Sequence, residues 1–152
     1  MPLAEPSVAS ARGRLGRTAL MWAPVLAYLA AIFYVSSLSR PPAVAEAASD
    51  KLLHGAAYAL LAMLLVRALS GGRWAGVTWR VALASVALAT LYGVTDEWHQ
   101  TYVPGRMGDA WDLVADAAGA ALGALACYLA GRVRRRRGVG PESSPQRRGV
   151  GG

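Results

Sequence analysis

Four apolar runs divide the chain: Ala19 to Leu38, Leu52 to Leu69, Thr78 to Thr95 and Trp111 to Ala130. Hydrocarbon about 30 Å thick is crossed by roughly 20 helical residues rising about 1.5 Å each, so each run is long enough to span a bilayer as an α-helix. Their interruptions are of tolerable kinds. Pro24 sits near the start of the first run, and Arg67 near one end of the second can extend its charge to the headgroups. Between the runs lie turn-forming segments: Arg40 to Lys51 with Pro41 and Pro42, then Ser70-Gly71-Gly72-Arg73, then the Pro104-Gly105 turn. The pattern predicts an all-α, four-helix transmembrane bundle over residues 19–131. A flexible basic arm over 1–18 and a disordered basic tail over 132–152 flank it, since neither shows apolar periodicity.

Composition agrees, because 152 residues that are 55% hydrophobic are too apolar for an ordinary soluble domain. The net charge of +7 does not indicate nucleic acid, because the basic residues flank apolar runs instead of alternating with polar and aromatic ones. They fix a topology. Four crossings put the amino terminus, the second loop and the carboxy terminus on one side, and these hold thirteen of the sixteen Lys and Arg residues. The positive-inside rule makes that side, and so both termini, cytoplasmic. The other two loops and their helix ends carry only Arg40, Lys51 and Arg106, with seven of the nine acids. A rival reading is a cleaved signal peptide ending at Ala43-Val44-Ala45. The first run is longer than a signal core, and the site lies beyond a polar Ser-Ser-Leu-Ser-Arg-Pro-Pro stretch, so it reads as a span. The single cysteine, Cys127, excludes an internal disulfide and thiolate-rich zinc sites.

Polar residues at the acidic end recur at helical spacing. Asp50, His54 and Tyr58 share one face of the second run. Ser85, Ala89, Tyr92, Asp96 and His99 form a stripe on the third, and Asp109, Asp112 and Asp116 on the fourth, continued inward by Gly119 and Gly123. The glycines form a small-xxx-small pattern that admits a neighbouring backbone, so the acidic stripe faces protein. Carboxylates at this depth need partners or water. Asp50 fits equally a first-turn acid favoured by the helix dipole and a residue orienting His54. Lys51 reads best as a headgroup contact, and Arg106 as a ligand for an anion or a bridge between carboxylates. Trp98, Tyr102 and Trp111 fit an interfacial aromatic belt. Asp96 and Glu97 end a helix whose dipole opposes them, so something else must hold them there. A divalent cation is a possible cofactor, with Asp96, Glu97 and Asp112 as candidate ligands and magnesium or calcium the best match to an oxygen-only set.

Taken together, Asp50-Lys51-Leu-Leu-His54-Gly-Ala-Ala-Tyr58, Tyr92-Gly-Val-Thr-Asp96-Glu97-Trp-His99-Gln100, Pro104-Gly105-Arg106 and Asp112-Leu-Val-Ala-Asp116-Ala-Ala-Gly119 resemble the successive motifs of VanZ-like proteins. The resemblance implies a small bacterial multi-pass membrane protein of a family whose founding member is associated with teicoplanin resistance. It singles out Asp50, Lys51, His54, Asp96, Glu97, His99, Gln100, Arg106 and Asp112. Asp116 departs from the Asn expected of the motif, which favours a hydrogen-bonding role there. Two functions are consistent with these residues. The first is binding of an amphipathic envelope molecule at the outer leaflet, with Asp50, Lys51, Tyr58, Gln100, Arg106 and Asp116 contacting it. The second is an outer-face hydrolase or transferase using His54, Asp96, Glu97, His99 and Asp112 for catalysis.

Overall fold

The computed structural model describes residues 8–39 and 50–138, and four long helices make up nearly all of it. They are α1 (Val8–Ser36), α2 (Asp50–Leu69), α3 (Trp79–Gln100) and α4 (Ala110–Gly138), with a short 3-10 turn at Trp74–Gly76. Among the described residues three helices are long and apolar enough to cross a membrane: α1 over Leu15–Ser36, α2, and α4 over Ala110–Arg137. Arg80, Asp96 and Glu97 lower the hydropathy of α3. Its 22 residues nevertheless cover about 33 Å.

The direction of each helix follows from its contacts. Gly55 lies against Gly119 and Ala59 against Gly123, so α2 and α4 run parallel. The Tyr92 hydroxyl donates to the Leu29 carbonyl, and the Ser36 hydroxyl to Asp96, so α1 and α3 run parallel as well. Because α3 joins the end of α2 to the start of the parallel α4, it must cover the same thickness in the opposite sense. The helices therefore run up, down, up and down, with the acids of α2, α3 and α4 at one end.

Packing is tightest between α2 and α4. A Cβ built on Gly119 would lie 1.9 Å from the Gly55 carbonyl oxygen, and one on Gly123 would lie 2.3 Å from that of Ala59. Small residues let the backbones meet, as the sequence pattern predicted. Tyr58, Leu61, Ala62, Val66, Ala120 and Ala124 fill the core around this seam. Leu26, Leu91 and Leu122 point outward and stay exposed, as a lipid-facing surface requires. The first helix is the loosest member. It buries only Val25 and Ser36 among its described side chains.

Three boundaries differ from the sequence pattern. The first helix begins at Val8, eleven residues before Ala19, so residues 8–18 are helical and not a flexible arm. Ala, Arg and Leu there are good helix formers, and each extends an existing helix by one bond. The fourth helix continues through Arg132 to Arg137 into what was expected as a disordered tail. Cations at a helix carboxy terminus match the dipole, and Arg135 Nη1 donates to the carbonyls of Trp74 (3.2 Å) and Val77 (2.8 Å) while Arg134 stacks on the Trp74 ring. The third helix runs past Thr95 to Gln100. Residues 1–7, the loop 40–49 with the signal-cleavage motif, and 139–152 lie outside the described residues.

If the α2–α4 seam is the main source of stability, Gly119→Ala should lower it by about 1–3 kcal/mol or more, as overpacking against a backbone does. Gly13→Ala, where an added Cβ meets nothing within 4 Å, should not lower it and can raise it by up to about 1 kcal/mol, Ala being the better helix former. Thermal unfolding of the detergent-solubilised chain compares the two.

Candidate functional site

The parallel approach of α2 and α4 brings their polar stripes face to face at the acidic end. Lys51 pairs with both Asp109 and Asp112. One turn deeper, His54 Nδ1 lies 3.0 Å from Asp116 Oδ1, and its Nε2 lies 3.9 Å from Asp112 Oδ2. Acid and base thus alternate inward from the rim as Asp109, Lys51, Asp112, His54 and Asp116. Asp116 is fully buried, and its Oδ2 has no hydrogen-bond partner. The Tyr58 hydroxyl is likewise buried and unpartnered.

The third helix supplies a second network. The Ser36 hydroxyl donates to Asp96 Oδ1 at 2.7 Å, and Gln100 Nε2 donates to Asp96 Oδ2 at 3.2 Å. Glu97 Oε2 accepts the Asp109 backbone N–H at 2.9 Å. These donors hold two acids at a helix end whose dipole disfavours them. Arg106 donates through Nε to the Leu38 carbonyl at 3.1 Å, through Nη2 to that of Val35 and through Nη1 to Gln100 Oε1. It therefore closes the carboxy-terminal end of α1, whose last carbonyls have no partner within the helix.

A cavity of about 240 Å³ opens between α1, α2 and α3. Tyr28, Ala31, Ile32, Val35, Leu53 and Ala57 form its apolar wall. Ser36, Asp50, His54, Asp96, Gln100 and Arg106 line its polar end, with Tyr58 between the two.

Several expected roles change on these contacts. Lys51 bridges two carboxylates instead of reaching only for headgroups. Arg106 binds backbone and an amide instead of joining carboxylates. The residue that orients His54 is Asp116, while Asp50 stays exposed at the start of α2. His99 stands apart from the cluster: its ring stacks on Phe33 at 4.5 Å, and its Nε2 meets Ser37 Oγ at 3.0 Å. The buried stripe of α3 is Ser85, Ala89, Gly93, Asp96 and Gln100. Tyr92 and His99 turn toward α1 because the 3.6-residue period drifts past strict three-and-four spacing. Trp98, Tyr102 and Trp111 remain exposed, as a belt requires. The contribution of Ser36 was not foreseen. Tyr28, Ile32 and Ser36 recur every four residues, which is the signal that places one face of α1 on the site.

Two groups of side chains have metal-ligand proximity, each offering one atom within 4.8 Å of the others: Asp50, His54 and Asp112, and His54, Glu97 and Asp116. Asp96 belongs to neither, and Glu97 and Asp112 fall in different groups, so the set Asp96, Glu97 and Asp112 does not form among the described residues.

Outside the spans, the Lys51 ammonium holds the Asp109 carboxyl below the usual carboxylate range, and the Trp111 N–H donating to Oδ1 at 2.8 Å acts in the same direction. A depressed folded-state value means that this contribution to stability is complete above pH 3.8 and is lost as pH falls through the lower folded value. Lys51→Met should raise the Asp109 titration toward the usual carboxylate range, with the Trp111 N–H still lowering it, read by carboxyl carbon-13 shifts against pH.

No curated protein and no solved structure matches the chain. The VanZ/LLP1 family model matches residues 20–131, a stretch that includes every acidic-end side chain described above. With that coverage, the chain belongs to the VanZ/LLP1 family.

Proposed function

We propose that this chain crosses the bacterial plasma membrane four times, with both termini cytoplasmic, and binds an amphipathic cell-envelope molecule at its outward-facing acidic end. The cavity between α1, α2 and α3 carries this reading, because its apolar wall and polar end match a molecule with a chain and a headgroup. Hydrogen-bonding atoms at the polar end fix orientation, and the apolar wall takes the first part of an acyl or polyprenyl chain. The loose seating of α1 supports lateral entry from lipid. Altered envelope chemistry or binding at the cell surface would link such a protein to glycopeptide tolerance.

Orientation rests on charge. Arg67, Arg73, Arg80 and the Arg132 to Arg137 run gather at the end opposite the acids. The crossing by α3 is supported by the parallel course of α2 and α4.

A second reading, an outer-face hydrolase or transferase, is favoured by one observation: His54 both lines the cavity and rests against a buried carboxylate, the arrangement of a general base held by an acid. Arg106, at the same polar end, can supply positive charge to an anionic group there.

Cysteines placed at Trp98 and Gly105, in a background lacking Cys127, should react with an impermeant reagent added outside intact cells, and cysteines in the arginine-rich tail should not. The reverse pattern inverts the topology. In native mass spectrometry, an envelope amphiphile should co-purify with the wild type and be lost on Ala57→Phe, which fills the cavity. Incubation with envelope lipids distinguishes the two functions: turnover abolished by His54→Ala and Glu97→Gln establishes the enzyme, and binding without product establishes recognition alone.

A further inference from the structure

The acidic end carries an imbalance of charge that its own side chains do not cancel. Asp50, Asp96, Glu97, Asp109, Asp112 and Asp116 face Lys51 and Arg106. Even with His54 and His99 protonated, four positive charges oppose six negative ones among the described residues. The shortfall is localised. Lys51 serves Asp109 and Asp112 at the rim, and Asp96 has its two donors. Glu97 and Asp116 touch no lysine or arginine side chain among the described residues.

Two buried polar atoms, both beside His54, have no hydrogen-bond partner. Asp116 is 0% exposed with Oδ2 unpartnered, and Tyr58 is 1% exposed with its hydroxyl unpartnered. Buried polar atoms are nearly always paired, and buried charges are paired or bind metal. Both groups lie against Gly93: a Cβ there would come within 3.0 Å of Asp116 Oδ2 and 3.3 Å of Tyr58 Cε1, on the hydroxyl-bearing edge of the ring. With no side chain at Gly93, α3 packs directly against the orphaned oxygen and offers it no donor. Glu97 stands one turn further along α3, and His54 reaches in from α2, so one atom from each of His54, Glu97 and Asp116 lies within 4.8 Å of the others.

We propose that His54, Glu97 and Asp116 bind a divalent metal cation. One imidazole nitrogen and two carboxylate oxygens suit zinc or manganese better than calcium, which takes six to eight oxygens, or magnesium, which retains its waters. Three protein ligands leave a coordination position for water or for an anionic group, as in catalytic zinc sites. Asp112 Oδ2 lies 3.9 Å from His54 Nε2 on the other side of the ring, too far for a hydrogen bond but close enough to favour positive charge there. The rim group of Asp50, His54 and Asp112 competes for the same histidine, but there the Lys51 ammonium already occupies Asp112 and would repel a dication. This cation site does not depend on what fills the cavity beside it.

The test uses the full chain in lipid nanodiscs, purified without a polyhistidine tag, stripped with a chelator and titrated with zinc or manganese. Metal retained after desalting is counted by plasma mass spectrometry, and X-ray absorption reports the ligands. The expected result is about one equivalent per chain, bound through nitrogen and oxygen including imidazole, with a rise in the unfolding midpoint that chelation reverses. Asp116→Asn and the less buried Glu97→Gln should each weaken binding at least tenfold, while Asp50→Asn and Asp109→Asn leave it unchanged. Ala57→Phe, which removes the amphiphile, should retain the metal. Absence of retained metal in folded wild type overturns the proposal. So does binding that survives both Glu97→Gln and Asp116→Asn in folded protein, or binding that Asp50→Asn abolishes, which would place the ion at the rim. Should Asp116→Asn fail to fold, Glu97→Gln and the absorption spectrum of the wild type decide.

Discussion

Backbone contact between α2 and α4 is the constraint on which the rest depends. Gly119 and Gly123 have no side chain to hold the helices apart, so the carbonyls of Gly55 and Ala59 come within the space a Cβ would need. That proximity, carried one and two turns toward the acidic end, sets His54 against Asp116 and Lys51 between Asp109 and Asp112. A wider separation would leave the same residues as isolated charges in an apolar surrounding, where each would be strongly unfavourable. The glycine seam and the polar cluster are therefore one device: the seam supplies packing in a solvent that offers little hydrophobic drive between helices, and it positions the ion pairs.

The first helix plays a different part. It is held by hydrogen bonds from Ser36 to Asp96 and from Arg106 to Leu38 at the acidic end, by those from Tyr92 to Leu29 and from Tyr28 to the Ala57 carbonyl nearer its middle, and elsewhere by few buried side chains. A helix tied over its acidic half by a few hydrogen bonds and burying few side chains leaves a cavity against its neighbours. The polar network thus bounds the site at one end, while sparse packing of α1 leaves room for an apolar chain along the other wall.

The asymmetry of the ends gives each a separate task. Arginines at the basic end use α4 carbonyl dipoles, the Trp74 ring and loop carbonyls, and they need no depth. Acids at the other end extend inward by about 10 Å of helix rise from Asp109 to Asp116. Among the described residues, the acidic end combines buried charge, unpartnered atoms and a cavity.

The sequence by itself determined the helical class, the number of long helices, the glycine seam and the family, because hydropathy and small-residue spacing act locally along the chain. It also placed His54, Asp112 and Asp116 on facing stripes. Pairing was beyond it. That His54 meets Asp116 and not Asp50, that Arg106 binds α1 carbonyls, and that His99 leaves the cluster to stack on Phe33 all depend on how helices rotate about their axes and on the position of α1. Those rotations are set by side-chain packing across elements far apart in the chain, and only the tertiary structure decides them.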